Sequence, residues 1–312
     1  MRVIKNYLSL VKFSHTIFAL PFAFIGFFLA IKFLKVPETF VPGWHTTIYP
    51  AGYLENNIPV TLKEYGIRLA LVILCMVFAR SAAMAFNRYL DRKIDALNPR
   101  TAVREVPKGI ITPQNALLFT IVCCLLFIGT TYFINSICFY LSPVALLVVL
   151  GYSYTKRFTS LCHLVLGLGL SLAPIGAYLA VTGAFNLLPL LFSFAVIFWV
   201  SGFDIIYALQ DEEFDKAQQL NSIPARVGKK RALGISELLH LLSLGFVVFA
   251  GKAGHFGPLY WLGVLVFGGM LLYQHSIVKY NDLRRVNVAF MTANGIASVV
   301  FAVFVIADLL IN

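Results

Sequence analysis

The chain has 312 residues, of which 59% are hydrophobic and only 12% are charged, and its mean hydropathy is +0.82. A soluble globular domain carries about 25% charged residues, so this composition excludes one and indicates an integral membrane protein. The formal net charge of +11 comes largely from the connections between apolar segments. Membrane orientation and anionic lipid headgroups explain it better than nucleic acid binding does.

Apolar segments long enough to cross about 30 Å of hydrocarbon recur along the whole chain. We place nine of them, at roughly 13–33, 67–86, 114–134, 137–155, 161–182, 187–208, 233–251, 258–278 and 287–310. Lys and Arg concentrate in alternate connections between these segments, beginning with Arg2 and Lys5 before the first. By the positive-inside rule, the sequence predicts an all-α bundle of nine transmembrane helices, with the N-terminus in the cytoplasm and the C-terminus outside.

Two acidic stretches lie where long apolar segments end, both on the predicted cytoplasmic side. The polar residues of the first recur every four positions, at Asn87, Asp91 and Asp95. Those of the second are spaced by three, four and four, at Asp204, Tyr207, Asp211 and Asp215. If each stretch is helical, its polar side chains line one face. Stacked carboxylates repel one another, so the pattern predicts a neutralising cation, for which a hard divalent metal is the natural candidate.

Basic residues near the acidic stretches extend this prediction to a phosphorylated substrate. Arg80 precedes Asn87 by two helical turns on the same predicted face. Further cations lie in cytoplasmic connections, at Arg104, Lys156, Arg157 and Arg226. Because Mg²⁺ is usually held by one or two carboxylates together with substrate phosphates, we expect a metal-bridged diphosphate here. A long hydrocarbon tail would lie between the apolar helices. A polyprenyl diphosphate therefore fits both the charged residues and the apolar bundle.

Simpler interpretations remain open for several of these residues. The basic residues of the connections could serve only to orient the chain in the membrane. Tyr207 could be an interfacial aromatic residue rather than a ligand contact. His15 is a candidate substrate contact, although a helix-end or packing role is more common for such a histidine.

A faint internal repeat is visible within what we predict to be a single domain, residues 1–312. Each acidic stretch, at 87–95 and at 204–215, is followed by a basic loop and then by a new apolar segment. Two such units facing one another would form one cavity at the cytoplasmic face, walled by helices.

The two acidic patterns resemble the paired motifs of the UbiA superfamily of membrane prenyltransferases. The segment Tyr152-Ser-Tyr154-Thr-Lys156-Arg157 is similar to the basic motif that follows the fourth helix in that family. The resemblance implies a nine-helix all-α fold in a bacterial cytoplasmic membrane. It also implies transfer of a polyprenyl group to an aromatic acid in quinone biosynthesis. Residues 98–109 and 206–215 look closest to enzymes that use 4-hydroxybenzoate or a dihydroxynaphthoate, and the opening at 12–22 leans towards the second acceptor.

The same resemblance assigns roles to individual residues and Mg²⁺ as the cofactor. The implied metal ligands are Asn87, Asp91, Asp95, Asp211 and Asp215. The implied catalytic residues are Asp91, Asp95, Asp204, Asp211 and Asp215. The implied contacts of diphosphate or acceptor are Arg80, Asn87, Arg104, Lys156, Arg157, Tyr207, Arg226 and His15. The expected partners are polyprenyl diphosphate, an aromatic acid and the lipid bilayer, with no nucleic acid and no obligatory protein partner.

Two other functions remain compatible with the sequence. A divalent-cation channel or transporter could use the same carboxylates. Transport sites usually lie near the bilayer midplane, however, and the predicted spans carry almost no acidic residues there. Another branch of the superfamily, prenylating haem, chlorophyll or lipid precursors, is the alternative within the enzyme class.

Overall fold

The computed structural model describes residues 2–11, 18–33 and 62–312, and within these ranges it is all-helical and contains no β-strand. The helices, in chain order, are α1 (Arg2–Leu10), α2 (Leu20–Phe33), α3 (Leu62–Leu97), α4 (Pro113–Tyr132), α5 (Ser136–Thr155), α6 (Cys162–Thr182), α7 (Leu187–Ala208), α8 (Glu212–Ala217), α9 (Ile223–Val227), α10 (Lys229–Ala253), α11 (Pro258–Ile277) and α12 (Asn294–Ile311). A 3₁₀ turn at Leu209–Asp211 connects α7 to α8, and a π-helical turn at Val288–Ala293 runs into α12.

Seven helical stretches of the described ranges are long and apolar enough to cross a membrane, which makes the chain a multi-span membrane protein. They are α3, α4, α5, α6, α7 together with α8, α10, and the π-helical turn together with α12. The α2 helix is apolar but has only 14 residues, and the start of the predicted 13–33 span lies outside the described residues. The α11 helix has 20 residues but is not among the seven; its last turns contain Gln274 and His275. The α3 helix continues well beyond its predicted apolar segment, so the first acidic stretch is helical.

Short polar segments specify where the membrane helices begin and end. Thr112 caps α4 by accepting a hydrogen bond from the Asn115 amide at 3.2 Å. Asn135 caps α5 in the same way, accepting from the Cys138 amide at 2.8 Å. Gly183 follows α6 with φ of +63°, a conformation that favours glycine. Thr112 and Asn135 satisfy amides that the first turn of a helix leaves without partners. Asn135 and Gly183 lie in the two short connections, 133–135 and 183–186, at the end of the bundle away from the end of α3.

The α7 helix is the most buried long helix and packs between α6 and α10. Small residues let the neighbouring backbones approach closely. A Cβ on Gly26 of α2 would lie 2.0 Å from the carbonyl oxygen of Pro174 on α6. A Cβ on Gly167 of α6 would lie 2.4 Å from the carbonyl oxygen of Ile197 on α7. Such contacts are typical of membrane helices, which have no hydrophobic driving force between them in lipid. The Gly167 contact fixes α7 against α6, and with it the helix end that carries the second acidic stretch.

A buried polar network holds the π-helical turn in place. The side-chain amide of Asn294 donates to the carbonyl oxygens of Ala289 and Phe290, at 3.1 and 3.0 Å. Its oxygen accepts from Trp199 Nε1 at 2.9 Å and from Gln274 Nε2 at 2.8 Å. The wider turn frees backbone carbonyls, and the Asn294 amide satisfies two of them. Phe290 is thereby positioned against the ring of Tyr207, with ring centroids 4.3 Å apart.

Candidate active site

The ends of α3, α5, α6 and α7, with the connections that follow α3 and α7, surround a polar cavity of about 660 Å³. Most of the predicted site residues line it: Arg80, Asn87, Asp91, Asp95, Arg104, Lys156, Arg157, Asp204, Tyr207, Asp211 and Asp215. Arg226 on α9 does not line this cavity, and its Nη1 donates to Ser160 Oγ at 3.3 Å instead. His15 lies outside the described residues. The two acidic stretches, far apart in sequence, therefore face the same space.

The first acidic stretch lies on the last turns of α3, and each of its carboxylates contacts a cation. Asn87 Nδ2 donates to Asp91 Oδ2 at 2.9 Å, and Arg157 Nη2 donates to Asp91 Oδ1 at 2.7 Å. Arg104 Nη1 donates to Asp95 Oδ1 at 2.6 Å. The second oxygen of Asp95 is buried and accepts no hydrogen bond from the described residues. This stretch thus keeps one carboxylate oxygen without a partner inside the cavity wall.

The second acidic stretch does not lie on one continuous α-helix, contrary to the spacing argument. Asp204 and Tyr207 belong to α7, Asp211 ends the 3₁₀ turn and Asp215 lies on α8. The tighter turn changes the rotation between Tyr207 and Asp211, so the four residues do not follow a single helical face. All four nevertheless line the cavity.

Arg100 anchors Asp211 from the connection after α3. Its Nε donates to Asp211 Oδ1 at 3.0 Å and its Nη2 pairs with Oδ2, while Asn98 Nδ2 donates to Oδ1 at 3.1 Å. Arg100 Nη1 also donates to the Tyr207 hydroxyl at 2.8 Å. Burial alone lowers the pKa of Arg100, but the hydrogen bond and charge of Asp211 outweigh it and raise the pKa above its usual value. Arg100 is therefore charged and links the two halves of the site.

Asp215 is fully buried and is held by two side chains. Lys156 Nζ lies 2.7 Å from Asp215 Oδ1, and Ser222 Oγ donates to Oδ2 at 2.8 Å. The lysine and Asp215 Oδ1 are close, but their angles do not fit a hydrogen bond. The contact is therefore chiefly ionic. A buried carboxylate without such a cation would be costly.

Side-chain cations therefore supply the counter-charge that the sequence argument assigned to a metal. No group of three or more His, Cys, Asp or Glu residues in the described ranges is arranged to hold a metal ion by itself. The residues nevertheless fit a hard cation in another way. The donors are carboxylate and amide oxygens, one of which, Asp95 Oδ2, is buried without a partner. This set suits Mg²⁺ held by one or two carboxylates and by substrate phosphates, and does not suit an all-protein cage.

Two arginines of α3, Arg80 and Arg88, face the cavity and form no ion pair within 4 Å with the described residues. Arg88 is 4% exposed, and its only side-chain hydrogen bond is from Nη1 to Asn87 Oδ1 at 3.3 Å. The Nε atoms of Arg80 and Arg88 are both buried and unpaired in the described structure. A guanidinium that is buried without a counter-charge is costly in the membrane. This wall of the cavity therefore favours an anionic ligand.

The sequence analysis did not identify four residues that line the cavity, Arg88, Asn98, Arg100 and His163, or Ser222, which contacts Asp215 from outside the lining. Asn98, Arg100 and Ser222 lie in the loop segments of the internal repeat. The repeat of these loops was the sequence feature that could have indicated a role for them at the site. His163 lies inside the predicted 161–182 span, and a histidine in an apolar segment is a signal in its own right. Its Nδ1 lies 2.6 Å from Asp204 Oδ2. The pairings themselves arise from tertiary contacts and have no local signature.

An apolar groove of about 380 Å³ adjoins the polar cavity. Side chains of α3, α5 and α6 form it, and the two spaces share part of their wall: Arg80, Met84, Tyr152, Leu166 and Leu170. Val144 and Phe185, on its rim, are 55% and 58% exposed, so the groove reaches the lipid-facing surface. The site as a whole is a charged chamber continuous with a hydrocarbon-lined channel.

Comparisons with known proteins agree with this architecture. The model of the UbiA prenyltransferase family matches residues 54–296. A 4-hydroxybenzoate octaprenyltransferase of Tolumonas auensis is 31% identical over 240 residues, which cover 77% of this chain and 84% of that protein. The chain therefore belongs to the UbiA prenyltransferase family and is an enzyme of the prenyltransferase class. Membership in this family sets the channel or transporter alternative aside.

Solved structures share the fold over nearly the whole chain. The apo structure of a UbiA homolog from Aeropyrum pernix K1 has a TM-score of 0.74 and 26% identity, covering 95% of this chain and 97% of that one. A UbiA homolog from Archaeoglobus fulgidus bound to GPP and Mg²⁺ has a TM-score of 0.67 and 20% identity, covering 98% and 100%. The second comparison concerns the fold alone.

Proposed function

We propose that this enzyme transfers a polyprenyl group from a polyprenyl diphosphate to a hydroxylated aromatic acid in quinone biosynthesis, with Mg²⁺ as cofactor. The observation that carries the proposal is the charged cavity that shares a wall with an apolar groove. Such a site is complementary to a diphosphate head joined to a hydrocarbon tail. The relative named 4-hydroxybenzoate octaprenyltransferase and the neighbour bound to GPP and Mg²⁺ support substrates and a cofactor of these classes.

The residues assigned to Mg²⁺ are Asn87, Asp91, Asp95, Asp211 and Asp215. When bound, the cation would stabilise the negative charge that develops on the departing diphosphate. Asp95 Oδ2 is the most directly available ligand atom, because it is buried without a hydrogen bond in the described structure. The other carboxylates would hold the metal together with the substrate phosphates, and the Arg and Lys side chains beside them would contact the diphosphate.

The cations assigned to the diphosphate are those that pair with the motif carboxylates: Arg100, Arg104, Lys156 and Arg157. Arg80 lies in the wall common to cavity and groove, where the head of the substrate meets its tail. The rings of Tyr207 and Phe290, whose centroids lie 4.3 Å apart and whose planes are tilted by 32°, form a surface that suits an aromatic acceptor. Arg226 is left out of this proposal because it does not line the cavity, and the role of His15 stays a prediction.

The chemistry requires a carbon electrophile and a proton acceptor. The bond between the allylic carbon and the bridging oxygen of the diphosphate breaks, and the diphosphate leaves with the electron pair. A ring carbon of the acceptor then attacks the allylic cation, forming the new carbon–carbon bond. We assign the departing ring proton to Asp204, which lines the cavity and, alone among the motif carboxylates, has no Arg or Lys partner in the described structure. Asp204 later releases the proton to water, which restores the enzyme.

The same proposal covers the full membrane architecture. Adding α2 and α11 to the seven helical stretches gives nine spans. The cavity end carries the basic connections at 98–108, 156–157 and 226–231, which favours a cytoplasmic location by the positive-inside rule. We therefore assign the enzyme to a bacterial cytoplasmic membrane, with the active site on the cytoplasmic side and the C-terminus outside.

The deciding experiment offers the purified, detergent-solubilised enzyme a polyprenyl diphosphate and Mg²⁺. In separate reactions it receives 4-hydroxybenzoate or 1,4-dihydroxy-6-naphthoate. We expect prenylated product from one of these acceptors, and loss of product when EDTA removes the divalent cation. Product from 4-hydroxybenzoate would assign the enzyme to ubiquinone biosynthesis, and product from the naphthoate would assign it to menaquinone biosynthesis.

Substitution of Asp91 tests the role of the acidic motifs. Asp91→Ala should lower kcat/KM for the diphosphate donor by about 100-fold or more, as expected for loss of preorganised electrostatic stabilisation. Asp282→Ala is the matched control, because Asp282 is an acid outside the cavity that pairs with Arg284. Full activity of a folded Asp91→Ala enzyme contradicts the metal assignment. An intact wild-type enzyme without product from either acceptor contradicts the proposed reaction.

A further inference from the structure

His163 is the buried partner of Asp204 in the cavity wall. It lies on the first turn of α6 and is 3% exposed. Its Nδ1 is 2.6 Å from Asp204 Oδ2, and its Nε2 faces the backbone amide of Ile223 at 3.3 Å. The histidine therefore bridges α7, which carries Asp204, and the segment that opens α9.

The hydrogen-bond pattern defines which ring nitrogen carries the proton. A backbone amide can only donate, so His163 Nε2 must present its lone pair to Ile223. In the neutral imidazole, Nδ1 is then the protonated nitrogen, and it donates to Asp204 Oδ2. Asp204 is thereby held at one oxygen, while Oδ1 accepts no hydrogen bond from the described residues and its side chain remains 23% exposed to the cavity.

The segment that Ile223 belongs to ties this pair to the rest of the site. Asn221 N donates to the carbonyl oxygen of Lys156 at 2.7 Å, and Ser222 Oγ donates to Asp215 Oδ2 at 2.8 Å. Residues 221–223 therefore contact the α5–α6 connection, α8 and His163 together. This arrangement gives the imidazole a fixed position relative to both acidic motifs. Outer hydrogen bonds orient the side chains that bind a metal ion in the same way.

The type of partner also distinguishes Asp204 from the other motif carboxylates. Asp91, Asp95, Asp211 and Asp215 each lie against the positive charge of an Arg or Lys side chain. Asp204 is held instead by the imidazole of His163, which contacts only one of its two carboxylate oxygens. The other oxygen of Asp204 is therefore free to be aimed at a ligand in the cavity.

From this geometry we infer that His163 is a positioning residue, which holds Asp204 so that its Oδ1 points at the proton leaving the aromatic acceptor. The inference rests on the proposed prenyl transfer and adds the group that orients its base. His163 makes no bond to substrate and transfers no proton itself. Its contribution is orientation, for which a displacement of about 1 Å can cost about 100-fold in rate.

Two substitutions at one position separate orientation from proton transfer. The side-chain amide of Gln offers one donor and one acceptor, about as far apart as the two ring nitrogens, and it does not titrate. Leu is of similar size and offers neither. We expect His163→Leu to lower kcat by about 10- to 100-fold with little change in KM for the diphosphate donor, and His163→Gln to restore kcat to within a few-fold of wild type.

Isotope substitution gives a readout that a purely structural role would not move. With the acceptor deuterated at the ring carbon that becomes prenylated, slower proton removal should raise the deuterium isotope effect on kcat in His163→Leu above the wild-type value. The effect should return to that value in His163→Gln. Thermal unfolding is measured for each variant, and His240→Leu is the matched control, since His240 is equally buried at 3% exposure but lies outside the cavity.

The outcomes separate this inference from the proposed reaction. A folded His163→Leu enzyme with wild-type kcat, or one with lowered kcat and an unchanged isotope effect, overturns the positioning role. A His163→Gln enzyme as slow as His163→Leu also overturns it, because a titrating group is then required. Adding His163→Leu to Asp204→Asn should cause no further loss, and an additional loss contradicts action through Asp204. An active Asp204→Asn single variant refutes the base assignment itself.

Discussion

Gly176 on α6 marks a place where the apolar groove has spare room. The residue lines the groove, and no atom lies within 4 Å of the position that its Cβ would occupy. The neighbouring Ala173 and Ala177 on the same helix are also small. A larger side chain at Gly176 would therefore project into the space assigned to the prenyl tail, without displacing the backbone.

We predict that Gly176→Leu restricts the enzyme to prenyl donors with shorter chains. Activity with long polyprenyl diphosphates should fall by about tenfold or more relative to geranyl diphosphate, because the added side chain overfills the groove by an amount worth about 1–3 kcal/mol. The measurement is kcat/KM for a series of donors of increasing length. Gly129→Leu on α4 is the control, since that glycine also has open space around its Cβ but lines neither cavity nor groove. An equal loss of activity for donors of all lengths would contradict the assignment of the groove to the prenyl tail.

Single residues also show how far sequence reasoning reaches. The four-residue spacing of Asn87, Asp91 and Asp95 was sufficient to place them on one side of a helix, because the helical period is fixed by backbone geometry. Their partners could not be derived in this way. Arg157 is 66 residues from Asp91 in the chain, and only the packing of α5 against α3 brings them together. Spacing identified the charges, and tertiary contacts decided which ones meet.

Among the helices, the departures from expectation occur where the backbone leaves the regular α-helix. Apolar length predicted α7 to end at residue 208, as it does. It did not predict the 3₁₀ turn after α7 or the π-helical turn before α12. The π-helical turn bonds to the buried Asn294 side chain, and the 3₁₀ turn ends at Asp211, which Arg100 and Asn98 hold from another connection. Both irregular turns place residues at the cavity, which agrees with the frequent occurrence of such turns at functional sites.

Asp308 of α12 stabilises the start of α11 at the other end of the bundle. Its Oδ2 accepts from the Gly257 amide at 2.8 Å and its Oδ1 from the Tyr260 amide at 3.2 Å. The residue is 1% exposed. Since the first turn of α11 has no other acceptor for these amides among the contacts of the described residues, a carboxylate from a neighbouring helix acts as its cap.

We predict that Asp308→Ala lowers the free energy of unfolding by about 2 kcal/mol, the upper range for loss of a helix cap. Asp308→Asn keeps an acceptor and should lose less. Thermal or denaturant unfolding in detergent measures the effect, with Asp282→Ala as an exposed acid that should change little. Because Asp308 is remote from the cavity, kcat of the folded variants should match wild type. Reduced kcat without reduced stability would contradict a capping role.

Over the whole molecule, charge is distributed unevenly between the two ends of the helices. The connections at 98–108, 156–157 and 226–231 carry Lys and Arg, whereas those at 133–135 and 183–186 carry none. Because loop charge sets orientation during insertion, this asymmetry predicts topology without reference to any side-chain contact. If all nine proposed helices span the membrane, we expect the N-terminus and C-terminus on opposite sides.

Reporter fusions to the full-length chain test this topology. Alkaline phosphatase needs the oxidising periplasm for its disulfides, so it should be active when attached after Asn312. Green fluorescent protein at the same position should be dark, and should fluoresce when attached before Met1. Fluorescence at the C-terminus together with an inactive phosphatase would show an even number of spans, and the assignment of α2 or α11 as a membrane span would then be wrong.

The contact between the polar cavity and the apolar groove along their shared wall affects how the two products leave the enzyme. The proposed reaction turns one amphiphilic donor into a water-soluble ion and a lipid-soluble quinone precursor. The polar cavity gives the ion a route to water, and the groove, with Val144 and Phe185 exposed at its rim, gives the precursor a route into the bilayer. Each product can depart in its own solvent without crossing the path of the other. The enzyme would thereby deliver the precursor directly into the membrane in which the later steps of quinone synthesis use it.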